Sequence, residues 1–392
     1  MKKLAIISTH PIQYNAPLFR MLQERKQVQL KVFYTWEQSQ KGNLFDPGFG
    51  IYREWDIPLL EGYDFSFVKN ISSKPGSHHF WGIINPDLIK IVQVYNPDAI
   101  LVYGWSFYSH LKVLFHFKNR VLILFRGDST SIDDSSLSVF KKFIRNILLR
   151  WIYRHINKAL YVGQANKEYF LANGLKEHQL IFAPHCIDNN RFKNENEFYE
   201  EQALLWRREL GIPDQSIVFL FAGKLEPKKN PLLLLNTFQN LSNENIRLII
   251  VGNGVLEQEL KEKAKSDPRI IFIDFQNQSR MPVVYRLGDV FILPSKGPGE
   301  TWGLSVNEAM ACGRPAIVSD ACGCEKDLII QGKTGYSFRS NNMSELKRSI
   351  QLFVEQHDKN GYRMFTQSHI SRCNLEMVAS AIENEIINQV KI

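Results

Sequence analysis

No run of 18 or more apolar residues occurs in the 392-residue chain. The stretch 97–117 is broken by Ser106, His110, Lys112 and His116, so no membrane-spanning helix is expected. The opening Met1-Lys-Lys-Leu-Ala-Ile-Ile-Ser is too short in its apolar part for a secretory signal and lacks a small-residue cleavage site; it reads as a first strand of a cytoplasmic protein. Cysteine is sparse and odd in number, five in all, which fits a reducing compartment better than a disulfide framework. Cys312, Cys322 and Cys324 stand close together, but no second Cys/His pair lies at zinc-ligand spacing, so no metal site is expected. Gly-x-Gly-x-x-Gly is missing after the first strand, which counts against a dinucleotide-dependent oxidoreductase.

What is present is a soluble-type composition, 44% apolar and 22% charged, with a net charge of +8. Such an excess suits nucleic acid, anionic lipid or phosphorylated ligands. No zinc-finger, helix-turn-helix or RNA-binding signature accompanies it, and no nucleic-acid partner is expected. Short apolar runs alternate with helical patterns throughout, which predicts parallel-sheet α/β domains. Candidate strands are 4–8, 28–34, 99–103, 121–125, 159–162 and 180–183 in the first half. The second half has 217–222, 246–251, 270–273, 290–293 and 316–319. The turn signal Gly211-Ile-Pro-Asp214 closes an Asn- and Glu-rich connection from 188 to 216, which places a domain junction there. Segment 36–63 breaks the alternation: it is rich in Gly, Pro and aromatics and reads equally as a functional loop or a packed hairpin.

The most informative segment runs from Gly299 to Asp320. A predicted strand ends in Phe291-Ile-Leu-Pro294, a Gly/Pro loop follows, and then a helix start bracketed by Glu300 and Glu308. If both were helical, their separation along the axis would be about 12 Å, which suits two ends of one long ligand better than a shared proton or metal. The N–H groups of Thr301, Trp302, Gly303 and Leu304 would be left open at a helix N-terminus, where anions bind.

Glu-x7-Glu with Gly303 at its third place, followed by Glu308-Ala-Met-Ala-x-Gly313-x-Pro315, resembles the family-4 retaining glycosyltransferases of the GT-B fold. The resemblance implies an α/β architecture of two Rossmann-like domains facing each other across a cleft, with a last helix crossing back to the first. The corresponding segments here are 1–187 on the acceptor side, 188–373 on the nucleotide-sugar side, and 374–392 as the returning helix. Phe221-Ala-Gly-Lys-Leu-Glu-Pro-Lys-Lys-Asn-Pro231 resembles the family's diphosphate-holding loop, with Lys224 and Lys229 as the cations. Lys224 stands where the family usually has Arg, keeping the charge and losing the fork. Gly252, in Val251-Gly-Asn-Gly-Val, matches a turn lining the donor cleft. Gln276, Asn277 and Gln278 fall where family members cradle the nucleobase. Glu308 matches the ribose-binding carboxylate and Glu300 the one near the transferred sugar. No Asp-x-Asp occurs, so the metal signature of the other large glycosyltransferase fold is missing; no cofactor or metal is implied, and the nucleoside-diphosphate sugar is a substrate.

The acceptor side departs from the family. After the first strand, Thr9-His-Pro11 replaces a Gly-Gly loop, and His10 either stands in for lost backbone contacts or caps the following helix. In Phe125-Arg-Gly-Asp-Ser129, where the family often carries a His, Arg126 and Asp128 are candidates for phosphate and acceptor-hydroxyl contacts, or else form a structural pair. Pro184-His-Cys-Ile-Asp188 has Cys186 in place of a usual Gly. From 138 to 160 there are six Lys/Arg and no Asp or Glu. Apolar Phe140, Phe143, Ile144, Ile147, Leu148, Trp151 and Ile152 are interleaved with them, so 139–156 reads as either a core-covering helix or one lying on an anionic membrane. The resemblance implies transfer of a sugar to a glycan or lipid-linked acceptor in bacterial surface polysaccharide assembly. A non-catalytic subunit of the same fold and a sugar-nucleotide epimerase stay as alternatives.

Overall fold

Strands buried on both faces need apolar side chains at nearly every position, and the short apolar runs supply them. The computed structural model describes residues 1–37, 44–46, 51–53, 55–193, 195–356 and 359–388. In the first half lie β1 (Lys3–Ser8), β2 (Gln29–Tyr34), β3 (Leu44–Asp46), β4 (Ile51–Arg53), β5 (Phe65–Phe67), β6 (Ala99–Tyr103), β7 (Leu122–Arg126), β8 (Lys158–Tyr161) and β9 (Leu180–Phe182). In the second lie β10 (Ile217–Ala222), β11 (Ile246–Val251), β12 (Ile270–Ile273), β13 (Val290–Leu293), β14 (Ala316–Ser319) and β15 (Gly335–Phe338).

They assemble as two parallel sheets, ordered β5-β2-β1-β6-β7-β8-β9 and β12-β11-β10-β13-β14-β15. In each, the chain reverses its direction of winding beside the first strand, between β1 and β6 and between β10 and β13. Ligands of such sheets bind outside the carboxyl ends of strands at that reversal. The loops after β1, β10 and β13 are therefore the ones placed to form a site.

Two strands fall outside the sequence expectation. β5 is a half-buried edge strand of three residues with no apolar run to announce it. β15 begins at Gly335, whose Cβ position would lie 1.8 Å from the carbonyl oxygen of Ala316. The two backbones pass too close for a side chain, so a residue that weakens strand propensity is required there. In segment 36–63, β3 and β4 pair antiparallel, while 38–43, 47–50 and 54 lie outside the described residues. The predicted linker 188–216 is largely helical. Its helices Asn189–Lys193 and Asn196–Glu209 bury Phe192 and Ala203 in the core beneath the second sheet.

The helix Leu375–Ile387 returns to the first domain; residues 389–392 of the expected segment lie outside the described ones. Asn374 caps it by accepting the Met377 N–H at 2.8 Å. Leu375, Val378, Ala379, Ile382 and Ile386 then pack with Leu18, Phe19 and Leu22 of the helix Ala16–Arg25. Arg25 Nη2 meets the buried Glu383 carboxylate at 2.8 Å and also donates to Ser380 Oγ at 3.0 Å. Arg25→Ala should lower stability by about 2 kcal/mol, less than for a fully enclosed pair because water reaches the arginine side. Urea unfolding of the full chain checks this, and an unchanged midpoint would show that the pair contributes nothing.

Candidate active site

The loops after β10 and β11 are locked together by backbone. Gly252 has φ +128°, and a Cβ there would sit 2.1 Å from the Gly223 carbonyl oxygen. Only glycine permits this approach. Leu225 N–H donates to Asn253 O at 3.0 Å, and Leu256 N–H to Leu225 O at 2.9 Å. The Lys224-bearing loop is thus held by its neighbour, and the single turn Pro227–Lys229 aims Lys229 inward.

Lys229 Nζ lies 2.5 Å from Glu300 Oε2, which also accepts from Ser295 Oγ at 2.9 Å. Both partners of this ion pair are mostly buried. The helix Leu304–Ala311 starts after Glu300, which therefore stands on the loop and not on the helix. That loop rests on the turn after β14. Gly323 N–H donates to Glu300 O and Cys324 N–H to Trp302 O, each at 3.1 Å. A Cβ on Gly323 would lie 1.8 Å from the Thr301 carbonyl oxygen. The buried Trp302 indole donates to Asn307 Oδ1 at 2.8 Å, and Asn307 Nδ2 reaches His185 O of the first domain at 3.1 Å.

Glu308, 2% exposed, faces the same cleft from inside the helix. Its Oε2 accepts from Tyr285 OH at 2.5 Å, while Oε1 is buried with no hydrogen-bond partner. Burial raises its pKa, opposed by Tyr285, Arg191 and Tyr14. Tyr14 comes from the loop after β1, so the first domain itself closes over this carboxylate.

On the facing wall, His10 lines the cleft. Its Nδ1 lies 3.0 Å from Thr9 Oγ1 and its ring meets Trp36 edge-on at 5.4 Å. It does not cap the next helix, whose N-cap is Asn15. Asp128 accepts from Thr301 Oγ1 across the cleft at 2.8 Å, with His185 Nε2 at 3.6 Å. Burial opposes its ionisation, yet His185 and Thr301 hold its pKa down at about 2. Burial lowers the His185 pKa, opposed by its contact with Asp128 and assisted by the Arg126 charge. Sequence reasoning passed over His185, although it lies in the quoted Pro184–Asp188 segment.

A cavity of about 580 Å³ joins these walls, lined by His10, Asp128, His185, Lys224, Lys229, Gly252, Glu300, Thr301, Trp302, Gly303, Leu304 and Glu308. Two sequence candidates do not line it. Arg126 is buried at the end of β7 and donates to Ala183 O at 2.8 Å and Pro184 O at 3.1 Å. It fixes the strand end that carries His185, and forms no pair with Asp128. Asn277 turns its Oδ1 back to the Gln278 N–H at 2.9 Å, leaving Gln276 and Gln278 on the cleft.

Two doubly wound domains with such a cleft between them, and a last helix returning to the first, form the GT-B fold. Residues 203–367 match the family described as glycosyl transferases group 1. It is 34% identical over 140 residues to D-inositol 3-phosphate glycosyltransferase of Corynebacterium glutamicum, covering 33% of each chain. It is 33% identical over 122 residues to UDP-Gal:alpha-D-GlcNAc-diphosphoundecaprenol alpha-1,3-galactosyltransferase of Escherichia coli, covering 29% of this chain and 30% of that one. The chain thus spans about a third of the length of the curated relatives it matches. Over the whole chain it is similar to Anabaena Alr3699/HepE in complex with UDP and glucose, with a TM-score of 0.72 and 17% identity, covering 99% of this chain and 100% of that one.

Two outcomes follow from this geometry. Glu308→Gln should stabilise the ligand-free protein by about 1 kcal/mol at pH 8, since it removes a desolvated charge with an unpaired oxygen. Because the folded pKa is raised, the carboxyl favours the fold at low pH and that contribution is lost as pH rises through the folded value. The Gln advantage should therefore shrink toward pH 5, as thermal melts at the two pH values would show. Gly323→Ala should push the Thr301 backbone aside and cost about 2 kcal/mol of stability, measurable as a lowered midpoint in urea unfolding.

Proposed function

We propose that this protein moves a sugar from a nucleoside-diphosphate sugar to a glycan or lipid-linked acceptor, with retention at the sugar's anomeric carbon. The observation that carries the reading is the convergence of Lys224, Lys229 and an open helix N-terminus with two separately buried carboxylates in one interdomain cleft. Departure of the sugar leaves charge on a diphosphate, and cations with helix amides supply what that charge needs without a metal. Glu308 Oε1 lacks a donor, and a ribose hydroxyl would supply one. Glu300, already neutralised by Lys229, lies where a carboxylate can orient sugar hydroxyls and stabilise a developing cation at C1.

Asp128, with its pKa near 2, is ionised at neutral pH and is a poor proton acceptor. It orients an acceptor hydroxyl, and the proton passes to the leaving phosphate, consistent with retention. His185 and His10 complete the acceptor wall. The curated relatives act on an inositol phosphate and on a diphosphoundecaprenol-linked sugar, which supports an acceptor with a phosphate or a lipid anchor, handled in the cytoplasm during surface polysaccharide assembly.

A thermal-shift screen of UDP-, GDP- and ADP-sugars should identify one donor that raises the melting temperature, undiminished in EDTA. Glu308→Ala should abolish that shift, whereas Glu300→Ala should largely keep it and slow transfer by about a hundredfold. Equal effects of both substitutions on binding, or a strict divalent requirement, would refute the assignment.

A further inference from the structure

The helix Val139–Tyr153 has its apolar face on the outside. Only Leu149, Ile152 and Tyr153 are buried against the first domain. Phe140 (70% exposed), Phe143 (63%) and Ile147 (53%) stand in solvent with Ile144 and Leu148, and Trp151 (46%) is exposed beside Phe115, which its ring meets at 4.6 Å. Core packing therefore does not account for the stripe. At about 100° per residue, these six side chains occupy an arc about 140° wide. Lys141 and Arg150 fall on the two borders of that arc, Arg154 continues it at the helix end, and all three are exposed. The inward cation, Arg145, is occupied with Asp134 at 2.8 Å.

We infer that this helix is a docking surface for an anionic lipid bilayer, lying in the membrane plane with the six apolar side chains among the acyl chains and the bordering cations at the headgroups. Charge selects that occupant. No Asp or Glu lies between 138 and 160, so two copies placed face to face would set like charges against each other, whereas phosphate headgroups pair with them. No helix among the described residues is long and apolar enough to cross a membrane, so attachment through this face would be peripheral.

The helix also ends close to the chemistry. The loop from Asp128 to Ser138 leaves the cleft, gives Asp133 Oδ1 to the Gly299 N–H at 3.0 Å, and then caps the helix through Ser138. Ten residues span at most about 35 Å. A docked helix thus holds the cleft within reach of the headgroup of a membrane-anchored acceptor. The docking stands by itself; this consequence rests on the glycosyl-transfer reading.

Flotation of the full chain with vesicles tests it. Vesicles of phosphatidylcholine mixed with phosphatidylglycerol should carry the protein up at least about tenfold more than phosphatidylcholine alone, and high salt should weaken the effect. Phe143→Ser combined with Ile147→Ser, and separately Lys141→Glu combined with Arg150→Glu, should each abolish flotation. The donor-induced thermal shift without vesicles should stay unchanged, which separates this proposal from the catalytic one. Flotation indifferent to these changes would overturn the inference. So would its absence, or a wild-type dimer in light scattering that the same substitutions dissolve.

Discussion

The second domain is organised around places where two stretches of backbone approach so closely that only a hydrogen fits between them. Gly252 against Gly223 and Gly323 against Thr301 are the two that matter for chemistry. Each joins the loop after one strand to the loop after its neighbour. A side chain at either place would separate loops whose only task is to be adjacent. The lysines after β10 and the glutamate after β13 can meet because those contacts remove the slack. Loop flexibility, which would otherwise blur a charged site by an ångström or more, is taken up by peptide groups.

On that frame sits a balance of charges inside a partly dry cleft. A carboxylate and an ammonium buried together are costly to desolvate and strongly destabilising to separate. Lys229 and Glu300 are arranged so that neither is left alone while the cleft is empty. Glu308 is treated differently, with two phenols near it and one oxygen unpaired. The first arrangement favours a stable resting state, and the second leaves one acceptor oxygen unsatisfied beside the cleft.

The second domain's wall of the cleft was legible in the sequence because one contiguous stretch from Gly299 to Asp320 carries most of it, and because Lys224 and Lys229 follow a strand whose apolar run is unmistakable. The strands of both sheets were legible for the same reason. The facing wall was legible only through His10 and Asp128, since it is assembled from loops after β1, β7 and β9 that come together only in space. Arg126 looked like a site cation, but the carbonyls of Ala183 and Pro184 that take up its guanidinium leave no trace near it in sequence. His185 reached Asp128 from another strand end. Likewise, the apolar stripe of 139–153 was visible as a pattern, yet its direction was not, because periodicity shows that a helix has two faces without saying which one meets the sheet.

The returning helix Leu375–Ile387 has a consequence for how the protein is made. The core that it completes lies under strands near the start of the chain, among Leu4, Ile6, Phe19 and Leu101. During synthesis those residues emerge long before their last packing partners do. At roughly 5–20 residues per second, the ribosome needs on the order of 10–40 seconds to pass from the domain junction to that helix. For that interval the first domain carries an open greasy seam on the nascent chain, and the second domain likewise waits for Ile350, Tyr362 and Ile370 to fill its own cores. Both halves therefore complete their cores only when the chain's last helices emerge, whatever the order in which their strands were made.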